Sequence, residues 1–150
     1  MRSRMKAIEE NASYYTFVAS LDAQVIGMIG VRLVNYYEAD GIHAQISCLV
    51  TKQHYQGQGV GKQLIRFVES WAKEKGTDGL SLTSGIKEDR VDAHEFYKKM
   101  GFKINGYRFV KKIQGVINIF YDNPVAKQRY TIKRCPRIED IFLFLSGLGV

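Results

Sequence analysis

The stretch Ile46–Gly76, ISCLVTKQHYQGQGVGKQLIRFVESWAKEKG, decides the reading of the whole chain. Ile46, Leu49 and Val50 form a short apolar run, the mark of a strand covered on both faces. Gln56-Gly57-Gln58-Gly59-Val60-Gly61 follows as a glycine-punctuated turn. From Val60 onward the period changes. Val60, Leu64, Phe67, Val68, Trp71 and Ala72 recur at three- and four-residue spacing and share one helix face. Lys62, Arg66, Glu69, Lys73 and Glu74 fall largely on the other. Lys73 and Lys75 suit a last turn, and Gly76 a stop.

A strand, a glycine turn and a helix start together make an anion cradle. The first N–H groups of a helix lack partners within it and sit at the positive end of its dipole. Without side chains at Gly57, Gly59 and Gly61, a bulky anion can approach the backbone. Spacing excludes two familiar cradles. The dinucleotide pattern G-x-G-x-x-G would need glycine where Lys62 stands. The P-loop G-x-x-x-x-G-K-[ST] meets Gln56 in place of its first glycine and Gln63 in place of its hydroxyl residue. The pattern that remains is Q-x-x-G-x-G.

Gln56 to Gly61 resembles the [RQ]-x-x-G-x-[GA] signature of the GNAT superfamily of acetyl-CoA-dependent N-acetyltransferases. A second block, Ala93-His94-Glu95-Phe96-Tyr97-Lys98-Lys99-Met100-Gly101-Phe102, is similar to the A-x-x-F-Y-x-x-x-G-F helix end that follows the cofactor helix in that superfamily. The resemblance extends from about residue 14 to about residue 113. It implies an α/β (α+β) fold: a mixed, mostly antiparallel sheet, central parallel strands that splay apart, and flanking helices.

Composition is that of a globular domain. The chain has 150 residues, 45% of them hydrophobic and 25% charged, long enough for one domain with a real core. Its two cysteines, Cys48 and Cys135, lie far apart and suggest neither a metal site nor a disulfide framework. Cys48 is expected as a buried thiol, and a reducing, cytoplasmic compartment follows. Met1–Glu10 lacks an apolar core, so no signal peptide is expected, and no run reaches membrane-spanning length. The net charge of +7 is uneven: Met1–Met100 carries 13 basic and 12 acidic residues, Gly101–Val150 carries 9 and 3. The basic third reads as a solvated face in preference to a nucleic-acid or acidic-partner surface.

Around the central stretch, Met1–Ser13 has the period of a helix tail. Tyr14–Ser20 and Gln24–Val34 read as strands joined by Leu21-Asp22-Ala23, with Gly27 and Gly30 marking close packing or a bulge. Asn35–Gly41 is a loop, Ile42–Thr51 the next strand, and Gly79–Ser84 a strand parallel to it. Arg90–Met100 is a helix stopped by Gly101. Phe102–Gly106 and Tyr107–Ile113 are expected to complete the sheet. Residues 1–113 are thus the expected core and 114–150 an extension. The apolar segment Ile141–Leu145 in that extension should pack on the domain or on a second copy, as in a homodimer. Few residues precede Tyr14, so elements that help wall the acceptor pocket in the superfamily are expected to be cut short. Their place would be open, or filled by a partner chain or by the tail.

The resemblance assigns roles residue by residue. Gly57, Gln58, Gly59, Val60, Gly61 and Lys62 would bind the pyrophosphate of acetyl-CoA, mostly through backbone N–H groups, with a side-chain amide of Gln56 or Gln58 and the Lys62 charge adding to them. The backbone of Leu49, Val50 and Thr51 would pair with the pantetheine arm, as an added strand pairs with a sheet edge. Arg90 could reach a phosphate. Tyr97, a phenol protonated at neutral pH, would return a proton to the departing thiolate. Relatives often carry a carboxylate base on the strand before the turn. Here Ser47 and Cys48 stand in that part of the strand, with Glu38, Asp40 and His43 nearby and a water chain as an alternative. No metal is implied. The expected reaction is acetyl transfer to a primary amine of a small molecule, the aminoglycoside type being most similar over Arg90–Tyr97. Protein or peptide amines, or a CoA-binding module with little turnover, are the other readings.

Overall fold

The computed structural model describes residues 2–37 and 39–112. The chain divides into two compact units, residues 1–106 and 107–150. The first unit contains all the regular structure described: α1 (Arg2–Glu9), β1 (Tyr14–Leu21), β2 (Gln24–Asn35), β3 (Ile42–Thr51), a 3-10 turn (Gln53–Tyr55), α2 (Val60–Glu74), β4 (Leu80–Leu82), a second 3-10 turn (Glu88–Arg90) and α3 (Val91–Lys99). The strands lie in sequence order, β1-β2-β3-β4. β1, β2 and β3 run antiparallel in turn, and β4 lies parallel to β3.

Local chemistry sets each boundary. Asp22 and Ala23 both have positive φ, 47° and 62°, so a two-residue turn of the hairpin kind joins β1 to β2. Both long helices end in the same hydrogen-bonded cap. In α2 the Gly76 N–H donates to Lys73 O and the Thr77 N–H to Ala72 O, each at 3.0 Å. In α3 the Gly101 N–H donates to Lys98 O and the Phe102 N–H to Tyr97 O. Gly76 and Gly101 hold the left-handed residue that this cap needs, at φ 72° and 91°.

One layer of α2 on the sheet makes the core. Val60, Leu64, Ile65, Val68 and Ala72 of α2 are buried against Ile26, Ile29 and Val31 of β2 and Ala44 and Ile46 of β3. Burial of each of the larger side chains contributes about 1.5–3 kcal/mol. Gly27 lets the helix come close: a Cβ there would lie 2.8 Å from Val60 Cγ1 and 3.2 Å from Leu64 Cδ1. Tyr15 and Phe17 of β1 meet Trp71 at centroid distances of 4.7 and 5.2 Å, and Phe17 meets Phe67 edge-on at 5.0 Å.

Four expectations need correction. Val50 is 56% exposed, so the end of β3 is covered on one face only. Cys48 is exposed and not buried, because it stands on the face turned away from α2. Phe67 is also largely exposed and Ile65 takes the buried place beside it, since the helix meets the sheet along a stripe turned toward Ile65. Finally, Phe102–Lys112 forms no strand. Phe102 packs back on the core, but Ile104, Tyr107, Phe109 and Val110 are exposed, and β-forming side chains make a strand only where a partner pairs with them. Ile113 and the extension, including Ile141–Leu145 and Cys135, lie outside the described residues.

Candidate active site

β3 and β4 pair over three residues only, Ala44 with Leu80, Gln45 with Ser81 and Ile46 with Leu82. β4 then ends, while β3 continues for five residues, from Ser47 to Thr51, bonded among the described residues to β2 alone. Among the described residues nothing pairs with the backbone groups on its other edge. A bulge marks where the strands part: Gly30 pairs with Cys48 and Val31 with Ile46, which leaves Ser47 as an extra residue on β3. Bulges turn a strand and end its pairing. Gly30 makes the bend fit, because a Cβ there would lie 2.9 Å from Cys48 Sγ.

From Thr51 the chain passes through Gln53–Tyr55 and the glycine turn to α2. Gly57 and Gly59 hold φ of 75° and 85°, and Gly59 is the helix N-cap. A Cβ on either would meet nothing within 4 Å among the described residues, so the turn is open where those side chains would stand. The first helical bond runs from Gln63 N to Gly59 O, 3.0 Å, which leaves the N–H groups of Val60, Gly61 and Lys62 without partners in the helix. The Val60 side chain is buried against the sheet, so only its N–H faces the turn. Lys62 is exposed.

The two glutamines have backbone partners next to the turn. Gln58 Nε2 donates to His54 O at 2.7 Å, and Gln56 Nε2 to Thr51 O at 3.4 Å. Both amides tie the turn to the chain before it and shape the cradle. Gly61 also differs from Gly57 and Gly59. A Cβ there would make ordinary contacts with Phe96 Cζ (3.5 Å), Leu49 Cδ2 (3.8 Å) and Thr51 Oγ1 (3.9 Å). Gly61 is thus the point where α2, α3 and the free end of β3 converge, and it brings Leu49 and Thr51 to the helix start.

α3 carries the second block. Tyr97 is half-buried between Phe96 and Phe102, with ring centroids at 5.4 and 6.0 Å. Burial raises its pKa, and the nearby Arg90 charge offsets part of the rise. The phenol therefore stays protonated through neutral pH. Arg90 is the N-cap of α3 and is exposed, its Cγ 3.8 Å from where a Gly85 Cβ would stand. Two further side chains on or before α3 have places that the sequence pattern did not disclose. His94 Nε2 donates to Gly85 O at 2.7 Å and pins the loop after β4 to α3. Ser84, where the chain has left the sheet, has a buried hydroxyl with no partner among the described residues.

The base candidates are not gathered at the turn. Asp40 lies before the start of β3, at the end of the strand remote from the glycines. His43 stacks on Tyr36 at 4.8 Å and stands four residues before Ser47, roughly 13 Å along the strand. Glu38 lies outside the described residues. None of the four strands contains an Asp or Glu. Among the described residues no three His, Cys, Asp or Glu side chains form a metal-binding group, and no helix is long and apolar enough to cross a membrane.

A short parallel pair thus parts beside a glycine-turned helix start. Comparison with known proteins gives the family. Residues 1–102 match the Acetyltransferase (GNAT) family. The chain belongs to that family, and its relatives are N-acetyltransferases. It is 34% identical over 111 residues to the uncharacterized N-acetyltransferase YhdJ of Bacillus subtilis, covering 73% of this chain and 76% of that one. It is 31% identical over 96 residues to an aminoalkylphosphonate N-acetyltransferase of Salmonella typhimurium, covering 64% of this chain and 61% of that one. It spans about half the length of the matched mammalian relatives of the N-acetyltransferase 8 group. Among solved structures, an aminoglycoside acetyltransferase from an uncultured soil sample, in complex with sisomicin, superposes with a TM-score of 0.67 over 76% of this chain and 75% of that one. At 20% identity that likeness establishes the fold alone.

Proposed function

We propose that this chain moves the acetyl group of acetyl-CoA to a primary amine of a small molecule, by direct attack of the amine on the thioester. The observation that carries the reading is the free edge of β3, Ser47–Thr51, held beside an open helix start. A pantetheine arm needs backbone partners for its amides. Lys52 N bonds to Ile26 O, so by alternation Val50 is turned to Met28 of β2 while Leu49 and Thr51 present their backbone groups at the other edge of β3. The diphosphate needs converging N–H groups without side chains in the way, which is what Gly57, Gly59 and the starts of Val60, Gly61 and Lys62 offer. Gln58 shapes that turn through His54 O, and Arg90 adds a positive charge beside α3. Acetyl-CoA supplies an acyl group activated as a thioester. The chain's own part is to hold it, orient the amine and move protons. Tyr97 gives a proton to the departing sulfur, and an N–H on the free β3 edge stabilises the oxyanion. With no carboxylate on the strands, the amine loses its proton to solvent.

The small-molecule acceptor is supported by a relative of that kind, named for aminoalkylphosphonates. The test is coenzyme A release over a panel of small amines and of peptides bearing free N-termini or lysines. Turnover with small amines and none with peptides supports the reading. Turnover with peptides alone overturns the acceptor, and acetyl-CoA binding without any turnover overturns the enzyme.

A further inference from the structure

The sheet face turned away from α2 carries one fixed charge. Across all four strands Arg32 is the sole residue with a permanently ionised side chain. Its place on that face follows from the register. Gly27, Ile29 and Val31 face α2, the first by its contacts with Val60 and Leu64 and the others by complete burial. Arg32 alternates with them, as does Gly30, whose neighbour across the strands is Cys48. Side by side across the sheet stand Tyr14, Arg32, Gln45 and Ser81.

Arg32 is half-buried, and its hydrogen-bonded partner among the described side chains is neutral. Its Nε–H donates to Gln45 Oε1 at 2.6 Å. Neither ion pair found among the described residues, Lys6–Glu10 and Lys98–Glu95, involves it. The Nε bond fixes the plane of the guanidinium and leaves its two terminal nitrogens as donors. It also sets the Gln45 amide: with Oε1 toward Arg32, the Nε2 group becomes a further donor beside it. The guanidinium and the Gln45 amide are adjacent donors, with Tyr14 and Ser81 next to them in register and no carboxylate on the four strands. Arginine held in such a fork suits the paired oxygens of a carboxylate, phosphonate or phosphate.

Arg32 also lies near the place where β3 and β4 part, one strand across from it. Gly30 and Cys48 mark the bulge where β3 leaves β4, and Arg32 lies two residues from Gly30, roughly 7 Å along β2. An amine brought to the parting of the strands would have an oxyanion on Arg32 if a few carbons join the two.

We propose that Arg32, held by Gln45, selects acceptors in which a primary amine is joined by a short chain to an oxyanion. This rests on the acetyl-transfer reading of the same site and names its acceptor class. It disfavours polycationic acceptors, which would bring like charge to Arg32. The experiment measures kcat and KM for two- to four-carbon amino carboxylates and amino phosphonates, each against its uncharged amide or ester, with wild type, Arg32→Gln and Arg32→Lys. Acetyl-CoA binding to each protein is followed by calorimetry. Wild type should prefer the acids by about tenfold or more in kcat/KM. Arg32→Gln should remove that preference through KM, with kcat for the acids, acetyl-CoA affinity and turnover of the uncharged amines each within about twofold. Arg32→Lys should retain part of it. The carboxylate and phosphonate arms report which oxyanion the fork fits better. Equal use of acids and uncharged analogues by wild type overturns the inference alone and needs no variant. A uniform loss in Arg32→Gln, for acids and uncharged amines alike, overturns it too, as a structural role. Wild type that binds no acetyl-CoA overturns the transfer reading, and the inference with it.

Discussion

Two glycines, two residues apart, should respond to the same substitution with opposite sign. Gly59 is the N-cap of α2 at φ 85°, with open space where a Cβ would stand. Gly61 lies inside the first turn of α2, with ordinary contacts at 3.5 to 3.9 Å. Replacing either by alanine restricts the unfolded chain to the same degree, so that contribution cancels between the two variants. What remains is the left-handed backbone, which costs an L-residue about 1–2 kcal/mol. In a helix, alanine gains about 0.5–1 kcal/mol over glycine. Gly61→Ala should therefore raise the melting temperature. Gly59→Ala should fall below it by roughly 2–8 °C, taking about 2–4 °C per kcal/mol for a chain of this size. Thermal melts of the ligand-free proteins, followed by circular dichroism, read the gap directly. Acetyl-CoA calorimetry adds a second axis. A methyl added at residue 61 would point at Phe96, Leu49 and Thr51, leaving affinity within about twofold, whereas one added at residue 59 enters the open side of the turn and weakens binding. Equal melting temperatures, or a destabilised Gly61→Ala, would refute the assignment of strain to one glycine and packing to the other.

Other consequences can be checked separately. On the proposed role of the phenol as proton donor and not as an anchor, Tyr97→Phe should lower kcat by about a hundredfold or more with acetyl-CoA affinity held within about twofold; unchanged turnover in steady-state kinetics removes that role. Burial raises the Tyr97 pKa above its ordinary value, so the donor is lost only on the alkaline side of that value. The rate should therefore climb with pH as the amine deprotonates and decline only beyond the usual tyrosine range, a fall that Tyr97→Phe abolishes; a decline near neutral pH in wild type contradicts it. Cys48 is exposed beside the bulge, so in a Cys135→Ser background it should react with a thiol reagent, and saturating acetyl-CoA should slow that reaction severalfold. An unreactive thiol, or one indifferent to the ligand, would detach the bulge from the binding slot.

Much of the fold was legible because its signals are local. Hydrophobic period set β3 and α2 within a residue, and Gly76 and Gly101 closed their helices through the same left-handed cap. Gly27 and Gly30 in β2 read as close packing or a bulge, and the sheet uses both, one under Val60 and one under Cys48. The misreadings concern partners and not propensity. Cys48 looks like a core residue on composition, yet its face is decided by a bulge at Ser47 that no local pattern announces. Phe102–Lys112 has the residues of strands, but strands need a neighbour. That the amides of Gln56 and Gln58 bond to the Thr51 and His54 carbonyls is visible only in the geometry. Arg32 stood unremarked in a β-rich run because a lone arginine carries no pattern; its meaning comes from Gln45, thirteen residues away and adjacent across the sheet.

The central claim is that the free end of β3 and the opening turn of α2 hold coenzyme A between them. A titration of the isotopically labelled protein with coenzyme A, followed by amide 1H–15N NMR, tests it at single-residue resolution. The account predicts shifts concentrated at Leu49–Thr51 and at Gly57–Lys62, while Phe17 and Val18 on the far strand stay still. Binding heat with those two segments unmoved would contradict it.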